Sequence, residues 1–324
     1  MSYTPLHLHT QYSLLDGAIL IPELMDYCKE HAIKSCAITD HGWMAGVIDF
    51  YKQCKANDIK PLIGVELYVT GDEDNLENAD KNRDNQHLVV IAKDNEGYKG
   101  LLKLVSLAAL NNFYYKPRVY RGHLSQLAGH VCVTSACLGG PLSKLATVEK
   151  NNYGKVTKIH DPDGAVAREL DFYQNTFGGD FYLEVQDWDS GDYHQPRYNE
   201  YLLQQSLTRN IHCVITSDAH YLRAEDHGLH TLLMAMQHKQ SVAEYQDNNT
   251  MQYGPYFYVK TPEEMLVSAR KLGCEEAFHN TNVIAEKCNV EIELGVYKQP
   301  RFNIEEASDF EEFQEWQKQR ADST

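Results

Sequence analysis

The stretch PLHLHT at residues 5–10, followed directly by QYSLLDG at residues 11–17, decides how the rest of the chain is interpreted. In a strand, residues two apart point to the same face. His7 and His9 therefore share one face, while Leu6 and Leu8 turn the other way into apolar packing. Such a pair at the end of a short apolar strand can bind one metal ion from a rigid frame. Taken alone, the pair is equally well explained as two unrelated surface histidines.

The composition is that of an ordinary globular protein. The 324 residues are 43% hydrophobic and 23% charged, which suits one large domain or two ordinary ones. No apolar run is long enough to span a bilayer, and the N-terminus lacks a signal pattern, so no membrane partner is expected. The eight cysteines form no CxxC pair and no disulfide-type spacing, which predicts buried thiols and a cytoplasmic location.

The formal net charge of −16 bears on the substrate. A protein that grips duplex DNA through its phosphates is expected to carry a basic face, and the chain as a whole is acidic. Two explanations stay open. Either the substrate is not a long nucleic acid, or bound cations and a further domain supply the positive charge; three divalent ions would add about +6 at the site.

Seven short apolar runs alternate with segments of helical periodicity. The runs lie at 5–9, 35–39, 61–69, 86–92, 129–135, 181–185 and 213–217. The helical segments lie at 21–31, 44–56, 95–110, 165–177, 197–210, 261–272 and 277–288. This alternation indicates parallel βα units and predicts an α/β fold, a distorted seven-stranded β/α barrel like a TIM barrel. Reactive residues of such barrels gather at the carboxyl ends of the strands.

The intervening segments are polar or aromatic. Residues 71–86 and 147–164 are interpreted as solvated loops, the second with the alternative of a small excursion, and 291–294 as a short extended piece. Residues 113–118 form an aromatic and basic patch that its proline keeps from being helical.

Metal-ligating residue types recur along the predicted strands, mostly at their ends. The nine candidates are His7, His9, Asp16, His41, Glu66, His87, Cys137, Asp218 and His220. Imidazole, carboxylate and a single thiolate suit Zn²⁺, Mn²⁺ or Fe²⁺ better than Mg²⁺ or Ca²⁺. One tetrahedral ion needs fewer ligands than these, so they would serve two or three ions with a shared carboxylate, roughly 3.5–4 Å apart.

Two groups of residues are placed outside this set. The other ten histidines, His230 among them, lack a strand-end context and are interpreted as structural or surface residues. Asp40, beside His41, is interpreted as a residue that orients a ligand and does not itself bind metal.

The order of the motifs resembles the PHP (polymerase and histidinol phosphatase) domain, and more narrowly the PHP domain of the bacterial C-family DNA polymerases, the DNA polymerase III alpha subunits. The motifs are HLH at 7–9, LLDG at 14–17, TDHG at 39–42, GVE at 64–66, HL at 87–88, SACLGG at 135–140 and SDAH at 217–220. The resemblance runs from about residue 6 to residue 302 and includes FYYKPR at 113–118.

The resemblance implies a trinuclear metal centre. By motif, His7, His9, Glu66 and Asp218 would hold one ion, Asp16, His41 and His220 a second, and Glu66, His87 and Cys137 a third, with Glu66 bridging. Active family members hydrolyse phosphodiesters as 3′–5′ proofreading exonucleases. The implied substrate is a DNA 3′ end, and the implied partners are the rest of the polymerase chain and the proofreading and sliding-clamp subunits of the replisome.

Contacts to the substrate are predicted in the aromatic patch. Lys116 and Arg118 are candidate phosphate contacts, and Tyr114 and Tyr115 are a candidate base-stacking surface. A surface turn with ordinary packing aromatics explains the same residues equally well.

The domain prediction assigns residues 1–290 to the PHP barrel and 291–324 to a linker or the start of the polymerase palm. The chain is then a piece of a larger polymerase or a separately encoded copy. Two other functions stay open beside proofreading. One is a structural docking module for a separate proofreading subunit, and the other is a phosphatase for a small phosphomonoester.

Overall fold

The computed structural model describes residues 2–71, 85–189, 191–248, 254–297 and 314–315. Its strands are β1 (Ser35–Ile38), β2 (Lys60–Thr70), β3 (Gln86–Ala92), β4 (Phe113–Tyr114), β5 (Lys116–Tyr120), β6 (Val131–Thr134), β7 (Thr147–Lys150), β8 (Val156–His160), β9 (Phe181–Gln186) and β10 (Cys213–Thr216). Its helices are α1 (Ile21–Glu30), α2 (Val47–Ala56), α3 (Asn95–Leu110), α4 (Arg121–Leu124), α5 (Pro141–Leu145), α6 (Ala165–Phe177), α7 (His194–Arg209), α8 (His227–Gln237), α9 (Val242–Asn248), α10 (Pro262–Lys271) and α11 (Glu275–Lys287).

Six strands and the N-terminal segment form a closed ring. The strands pair in the order β1, β2, β3, β6, β9, β10. The segment at residues 5–9 fills the gap between β10 and β1, because the His9 amide donates to the Ala219 carbonyl at 2.8 Å and the Ala37 amide donates to the Pro5 carbonyl at 2.8 Å. The predicted seven-membered β/α barrel is therefore confirmed. Its first member is an irregular segment with one isolated β-bridge, between Leu8 and Ala219. The sequence predicted a regular strand there.

The direction of β3 differs from the prediction of uniformly parallel strands. β1 and β2 are parallel, as are β6 and β9, and β9 and β10. β3 runs antiparallel to both of its neighbours, β2 and β6. The amino end of β3, where His87 lies, consequently sits at the same rim as the carboxyl ends of the other strands.

β2 is long enough to extend past this rim. Its first residues pair with β1, and its last residues, Tyr68 to Thr70, pair with β5 in the hairpin formed by β4 and β5. Glu66 lies between these two regions, and its backbone forms an isolated parallel β-bridge with that of His41, which follows β1. A carboxylate in the middle of a strand is thereby placed at the level where the neighbouring strands end.

The barrel interior is apolar below the rim. One buried cluster joins side chains from the ring members to the end of α11, comprising Leu6, Ala37, Leu62, Val89, Ile91, Cys132, Ala136, Tyr182, Val214, Ile284, Ala285 and Cys288. The C-terminal end of α11 also meets the amino end of β2, where the Lys60 ammonium donates to the Ala285 carbonyl at 2.6 Å. All eight cysteines are free thiols, as the sequence predicted.

Other segments differ from the sequence-based prediction. Residues 147–160 form the antiparallel hairpin of β7 and β8, where a loop or small excursion was predicted. Helices α8 and α9 were not predicted, and 291–294 forms no strand within the described residues. Most of the predicted acidic loop at 71–86 lies outside the described residues. No helix in the described ranges is both long and apolar enough to cross a membrane.

The chain divides into two compact units, Met1–Glu291 and Ile292–Thr324. Within the second unit the structure describes residues 292–297 and 314–315, so its predicted role as a linker or palm start stays a prediction.

The ring closure predicts a measurable effect of one hydroxyl. Thr39 Oγ1 accepts from the Leu8 amide at 2.8 Å and donates to the Leu8 carbonyl at 3.0 Å. We expect Thr39→Val to lower the free energy of unfolding by about 1–3 kcal/mol, because a buried amide loses its partner. Urea denaturation measures the change. Thr208→Val, which removes an exposed hydroxyl bonded to the Gln204 carbonyl, is the control and should stay within about 0.5 kcal/mol of wild type. Equal effects of the two variants would contradict the closure described above.

Candidate metal centre

All nine predicted ligands converge at one rim of the barrel, and each lies within 4 Å of at least one other member of the set. His7 and His9 come from the N-terminal segment, and Asp218 and His220 follow β10, which is its neighbour in the ring. His41 follows β1, Glu66 lies on β2, His87 begins β3 and Cys137 follows β6. Their convergence is a direct result of ring closure and of the reversed direction of β3.

Glu66 is the centre of the cluster. Its Oε1 atom lies 3.3 Å from His7 Nε2 and 2.9 Å from His87 Nδ1. Its Oε2 atom lies 3.3 Å from His9 Nε2 and 2.6 Å from His41 Nδ1. The carboxylate is 1% exposed, so four imidazoles surround a negative charge that water barely reaches. This position suits a carboxylate that bridges two ions.

Asp218 connects the turn after β10 with the N-terminal segment. Its Oδ1 atom lies 3.1 Å from His7 Nε2 and 3.3 Å from His9 Nε2. Asp218 itself has φ of +49°, in the left-handed region that Asp adopts more readily than most residues. The turn after β10 thus presents both Asp218 and His220 to the same rim.

Asp16 and Cys137 lie toward the edges of the cluster. Asp16 Oδ2 is 3.0 Å from His41 Nε2, and Asp16 Oδ1 is 3.8 Å from His220 Nε2. Cys137 Sγ is 3.8 Å from His87 Nδ1 and accepts from the Gly139 amide at 3.4 Å. These contacts extend the site on both sides of Glu66.

Three sets of ligand atoms are compact enough to hold an ion. They are His7 with His9 and Glu66, His41 with Glu66 and His87, and His9 with His41 and His220. Within each set the atoms lie within 4.8 Å of one another. Glu66 belongs to two of the sets, in keeping with a shared ligand. The division into three named ion sites stays a prediction, as does the role of each residue.

The buried charges perturb one another strongly. Burial alone would lower the pKa of His7, but the carboxylates of Asp218, Glu184 and Glu66 outweigh it and raise that pKa well above its usual range. Burial would also lower the pKa of His41, yet Glu66 and Asp16 raise it to about 10. Burial would raise the pKa of Glu66, and the charges of His87, His41 and His7 instead hold it well below its usual range. The site therefore keeps its carboxylates ionised and attracts positive charge.

His220 has the opposite shift. Burial and the neighbouring His9 lower its pKa to about 3, against the pull of Asp16 and Asp218. His220 is consequently neutral at pH 7. Its Nδ1–H donates to the Asp218 backbone carbonyl at 2.8 Å, so the lone pair of the ring is on Nε2, the atom that faces Asp16.

A buried carboxylate that the sequence reasoning missed holds His7 in place. Glu184, on β9, accepts from His7 Nδ1 at 2.7 Å, so His7 presents Nε2 to the site. Glu184 also accepts from the hydroxyls of Thr134 and Thr216 and from the Gln186 amide. A carboxylate within an apolar strand was the available signal, because such a group is buried only when it is fully bonded.

His9 is oriented through a serine. Asp40 accepts from the Ser13 hydroxyl at 2.9 Å and from the Thr10 amide at 2.6 Å. Ser13 Oγ in turn lies 3.1 Å from His9 Nδ1. Because the Ser13 hydroxyl donates its hydrogen to Asp40, it accepts a hydrogen bond from His9 Nδ1. The Nε2 atom of His9 therefore faces Glu66 and Asp218. This arrangement matches the orienting role that the sequence suggested for Asp40.

His230 is nearer to the centre than the sequence suggested. It is buried on α8, its ring centroid lies 5.6 Å from that of His220, and burial lowers its pKa to about 4 even though Asp16 opposes the shift. A neutral imidazole thus lines one side of the site. Its position on an unpredicted helix left no strand-end signal in the sequence.

The predicted substrate contacts lie beside the rim on the β4–β5 hairpin. Lys116 Nζ is 5.1 Å from the ring centroid of Tyr68, whose ring stacks near His41. Arg118 is buried, with its guanidinium over Tyr114 and its Nε donating to the Asn112 carbonyl at 3.3 Å. Tyr115 is 75% exposed. Lys116 and Tyr115 are thus accessible from solvent beside the site, while Arg118 supports the hairpin; a role of these four residues in substrate binding stays a prediction.

The donor set fits divalent transition-metal ions. His7 Nε2, His9 Nε2 and both oxygens of Glu66 are buried, and these atoms complete no hydrogen bond of acceptable geometry within the described residues. Buried polar atoms without partners are costly, and ligation of a cation removes that cost. Imidazole nitrogens with carboxylate oxygens and one thiol are the donors that Zn²⁺, Mn²⁺ and Fe²⁺ accept.

Comparison with known proteins identifies the family. Residues 5–188 match the PHP domain. The chain belongs to the PHP domain family. This confirms the family predicted from the motifs, and the PHP domain is homologous to the N-terminal region of DNA polymerase III alpha subunits.

Three curated relatives illustrate the match. The DNA polymerase III subunit alpha of Helicobacter pylori is 37% identical over 297 residues, covering 90% of this chain and 23% of that protein. The same subunit of Campylobacter jejuni is 35% identical and covers 93% and 24%, and that of Aquifex aeolicus is 34% identical and covers 96% and 26%. The chain therefore spans about a quarter of the length of these relatives.

The geometry predicts that metal binding depends on Glu66. We expect Mn²⁺ or Zn²⁺ in about hundredfold excess over the dissociation constant to stabilise the wild type by about 2.7 kcal/mol, which raises Tm by several degrees. Glu66→Gln should lose most of this shift and bind fewer ions, because an amide cannot bridge two cations as a carboxylate does. Thermal denaturation with and without metal and elemental analysis measure the two effects.

The control for this experiment is Glu96→Gln, which alters an exposed carboxylate paired with Lys99. It should keep the wild-type ion count and the wild-type shift. Fewer than two ions per wild-type chain, or an unchanged shift in Glu66→Gln, would contradict a multinuclear centre built around Glu66.

Proposed function

We propose that this PHP domain hydrolyses phosphodiester bonds at DNA 3′ ends, as a metal-dependent 3′–5′ proofreading exonuclease within a replicative DNA polymerase. The observation that carries the proposal is the meeting of His7 and His9 with Asp218 at 3.1–3.3 Å around a buried Glu66. Side chains more than two hundred positions apart in the sequence lie in one cluster that offers several ligand atoms. All nine residues that the motifs predicted as ligands lie in this cluster.

The proposal takes the binding roles from the motifs of the family. His7, His9, Glu66 and Asp218 would hold one ion, Asp16, His41 and His220 another, and Glu66, His87 and Cys137 a third. Divalent ions in such a site lower the pKa of coordinated water to about 7 and neutralise negative charge on phosphoryl oxygens. Zinc, manganese and iron all fit this set of donors.

The protein's own contribution is to orient these donors before the substrate arrives. Glu184 fixes the ring orientation of His7 through Nδ1, and Ser13 with Asp40 does the same for His9. His220 is held neutral with its proton on Nδ1. Because each of these rings has one nitrogen occupied by a buried partner, the other nitrogen is aimed at the centre without reorganisation.

Phosphate and base contacts are assigned to the neighbouring hairpin. Lys116 lies over Tyr68 at the edge of the site, where its ammonium can pair with a phosphate. Tyr115 is exposed on the same hairpin and offers a ring for base stacking. Arg118 and Tyr114 pack against each other and hold the hairpin in position.

The proposed partners follow from the relatives. DNA polymerase III alpha subunits are the proteins that this chain matches over a quarter of their length, so we place this domain beside a polymerase active site that extends DNA. The remainder of the polymerase chain, together with proofreading and sliding-clamp subunits, is the proposed setting.

Primer degradation tests the proposal. We expect wild-type protein with Mn²⁺ or Zn²⁺ to shorten a 5′-labelled primer from its 3′ end, faster when the terminal base is mismatched. Asp218→Ala should lower the rate by about a hundredfold or more, because it removes a proposed carboxylate ligand that lies beside both His7 and His9. Denaturing gel electrophoresis of the labelled products measures the rate.

Asp26→Ala, a substitution of an exposed carboxylate on α1, is the matched control and should leave the rate unchanged. Equal degradation by wild type and Asp218→Ala would indicate a contaminating nuclease and remove the proposal. Turnover of p-nitrophenyl phosphate without any shortening of the primer would favour a small-molecule phosphatase, and full metal content without either activity would favour a docking module.

A further inference from the structure

A second feature of the rim has no part in the metal centre. The hairpin of β7 and β8 and the short helix α5 before it carry a local positive charge, with four lysines against one glutamate between residues 144 and 160. The chain as a whole has a formal net charge of −16. The lysines are Lys144, Lys150, Lys155 and Lys158, all exposed, and none forms an ion pair with any residue that the structure describes. The one glutamate, Glu149, pairs with His160 at 3.1 Å.

The tip of this hairpin is built to present an aromatic ring. Asn151 Oδ1 accepts from the Tyr153 amide at 2.9 Å and from the Lys155 amide at 3.1 Å. Gly154 has φ of +76°, which lets the turn close tightly. Tyr153, held on this ordered turn, is 88% exposed. The ordered backbone of the turn presents this ring to solvent, where a flat ligand can stack on it.

The hairpin rises from the same rim as the metal centre. Its first strand begins ten residues after Cys137, through α5. Its second strand is tied to the loop that follows β9, where the Val156 amide donates to the Asp192 carbonyl at 2.7 Å. Lys155 Nζ lies 4.7 Å from the ring centroid of Tyr193 in that loop. The lysines and two exposed tyrosine rings thus lie on the hairpin that follows Cys137 in the chain and on the loop that follows the carboxyl end of β9.

The acidic groups around the hairpin do not cancel this charge pattern. Asp161 accepts from the Val166 and Ala167 amides at the start of α6, and Asp189 accepts from the Gly191 and Tyr193 amides. Backbone N–H donors orient these carboxylates toward the chain, as the His194 amide does for Asp192 at 3.0 Å, while the four lysine side chains are exposed.

We propose that the β7–β8 hairpin binds the single-stranded nucleic acid segment that leads into the metal centre, with Lys150, Lys155 and Lys158 on phosphates and Tyr153 stacked on a base. Cationic side chains interleaved with an exposed aromatic ring are the features that bind single strands without sequence preference. An acidic peptide would use the lysines and leave the ring without a flat partner. The binding itself is independent of hydrolysis; only the direction of the strand, with its 3′ end at the centre, rests on the proposed function.

Equilibrium binding in EDTA tests the proposal separately from any hydrolysis. The probe is a fluorescent oligothymidylate of about twelve nucleotides, followed by anisotropy over a series of salt concentrations. The combined variant Lys150→Glu, Lys155→Glu and Lys158→Glu should lower affinity at least about tenfold. It should also reduce the slope of log K against log salt by about 2, since each single-strand phosphate contact contributes about 0.7.

The ring is tested by two further variants. Tyr153→Ala should lower affinity about fivefold or more, and Tyr153→Trp should retain it, because stacking needs only an aromatic face. The matched charge control is Lys29→Glu, Lys34→Glu and Lys52→Glu together. These lysines are exposed on α1, before β1 and on α2, and we expect the control to bind within about twofold of wild type. Thermal denaturation of each variant confirms that it is folded.

Several outcomes would overturn the proposal. An equal loss of affinity in the control variant would show a general charge effect, and unchanged affinity in Tyr153→Ala would remove stacking. Equally tight binding of a duplex of the same length, or of polyglutamate with the same dependence on both sets of variants, would remove the single-strand assignment.

Hydrolysis provides the second arm. With metal present, the triple lysine variant should raise KM for a twelve-nucleotide primer without lowering kcat, and leave a dinucleotide substrate unaffected because it is too short to reach the hairpin. Intact binding in EDTA with no hydrolysis would overturn the proposed function alone. Hydrolysis without any hairpin effect on binding or KM would overturn the hairpin proposal alone.

Discussion

The burial of Glu66 among four imidazoles is the constraint on which the rest of the structure depends. A carboxylate that is 1% exposed loses its hydration, and histidines at 2.6–3.3 Å replace it only in part. Asp218, with pKa held below its usual range by His7 and His220, adds a second buried negative charge to the same region. A barrel that closes around such groups is stabilised by bound cations, which supply the compensating charge that buried ions require.

The closed ring explains why this arrangement is precise. His7 and His9 lie on a segment that is hydrogen-bonded on both sides, to Ala37 on one and Ala219 on the other. A second layer of buried groups, Glu184 and Asp40, then fixes the ring orientation of these two histidines. Below that layer the interior is filled by apolar side chains and the end of α11. The candidate ligands are therefore positioned by the packing of the whole barrel.

The sequence predicted the ring members and the nine candidate ligands that converge at the rim, because both leave local signals. Short apolar runs followed by His, Asp or Cys mark buried strands whose ends reach solvent, and ring geometry brings those ends together. The direction of β3 was not predictable in this way, because alternation and length carry no information on strand direction. Glu184 was missed because nothing in FYLEV at 181–185 shows that Thr134, Thr216 and His7 will surround it. The β7–β8 hairpin was interpreted as a loop or small excursion because its strands are polar and largely exposed, and exposed strands lack the apolar pattern that identifies them.

The net charge of −16 is compatible with a nucleic-acid substrate once the distribution of charge is considered. At physiological salt the screening length is about 8 Å, so a phosphate at the rim responds to the groups nearest to it and hardly at all to carboxylates elsewhere on the surface. Exposed cationic groups on the two hairpins include Lys116 on one and Lys150 and Lys155 on the other, and the carboxylates of the centre itself are the ones that cations would neutralise. An excess of carboxylates over the whole chain disfavours nonspecific binding along a duplex, because phosphates meet net like charge. For the proposed action on a strand end, selectivity would come from cations bound at the rim, because they add positive charge where the end must enter.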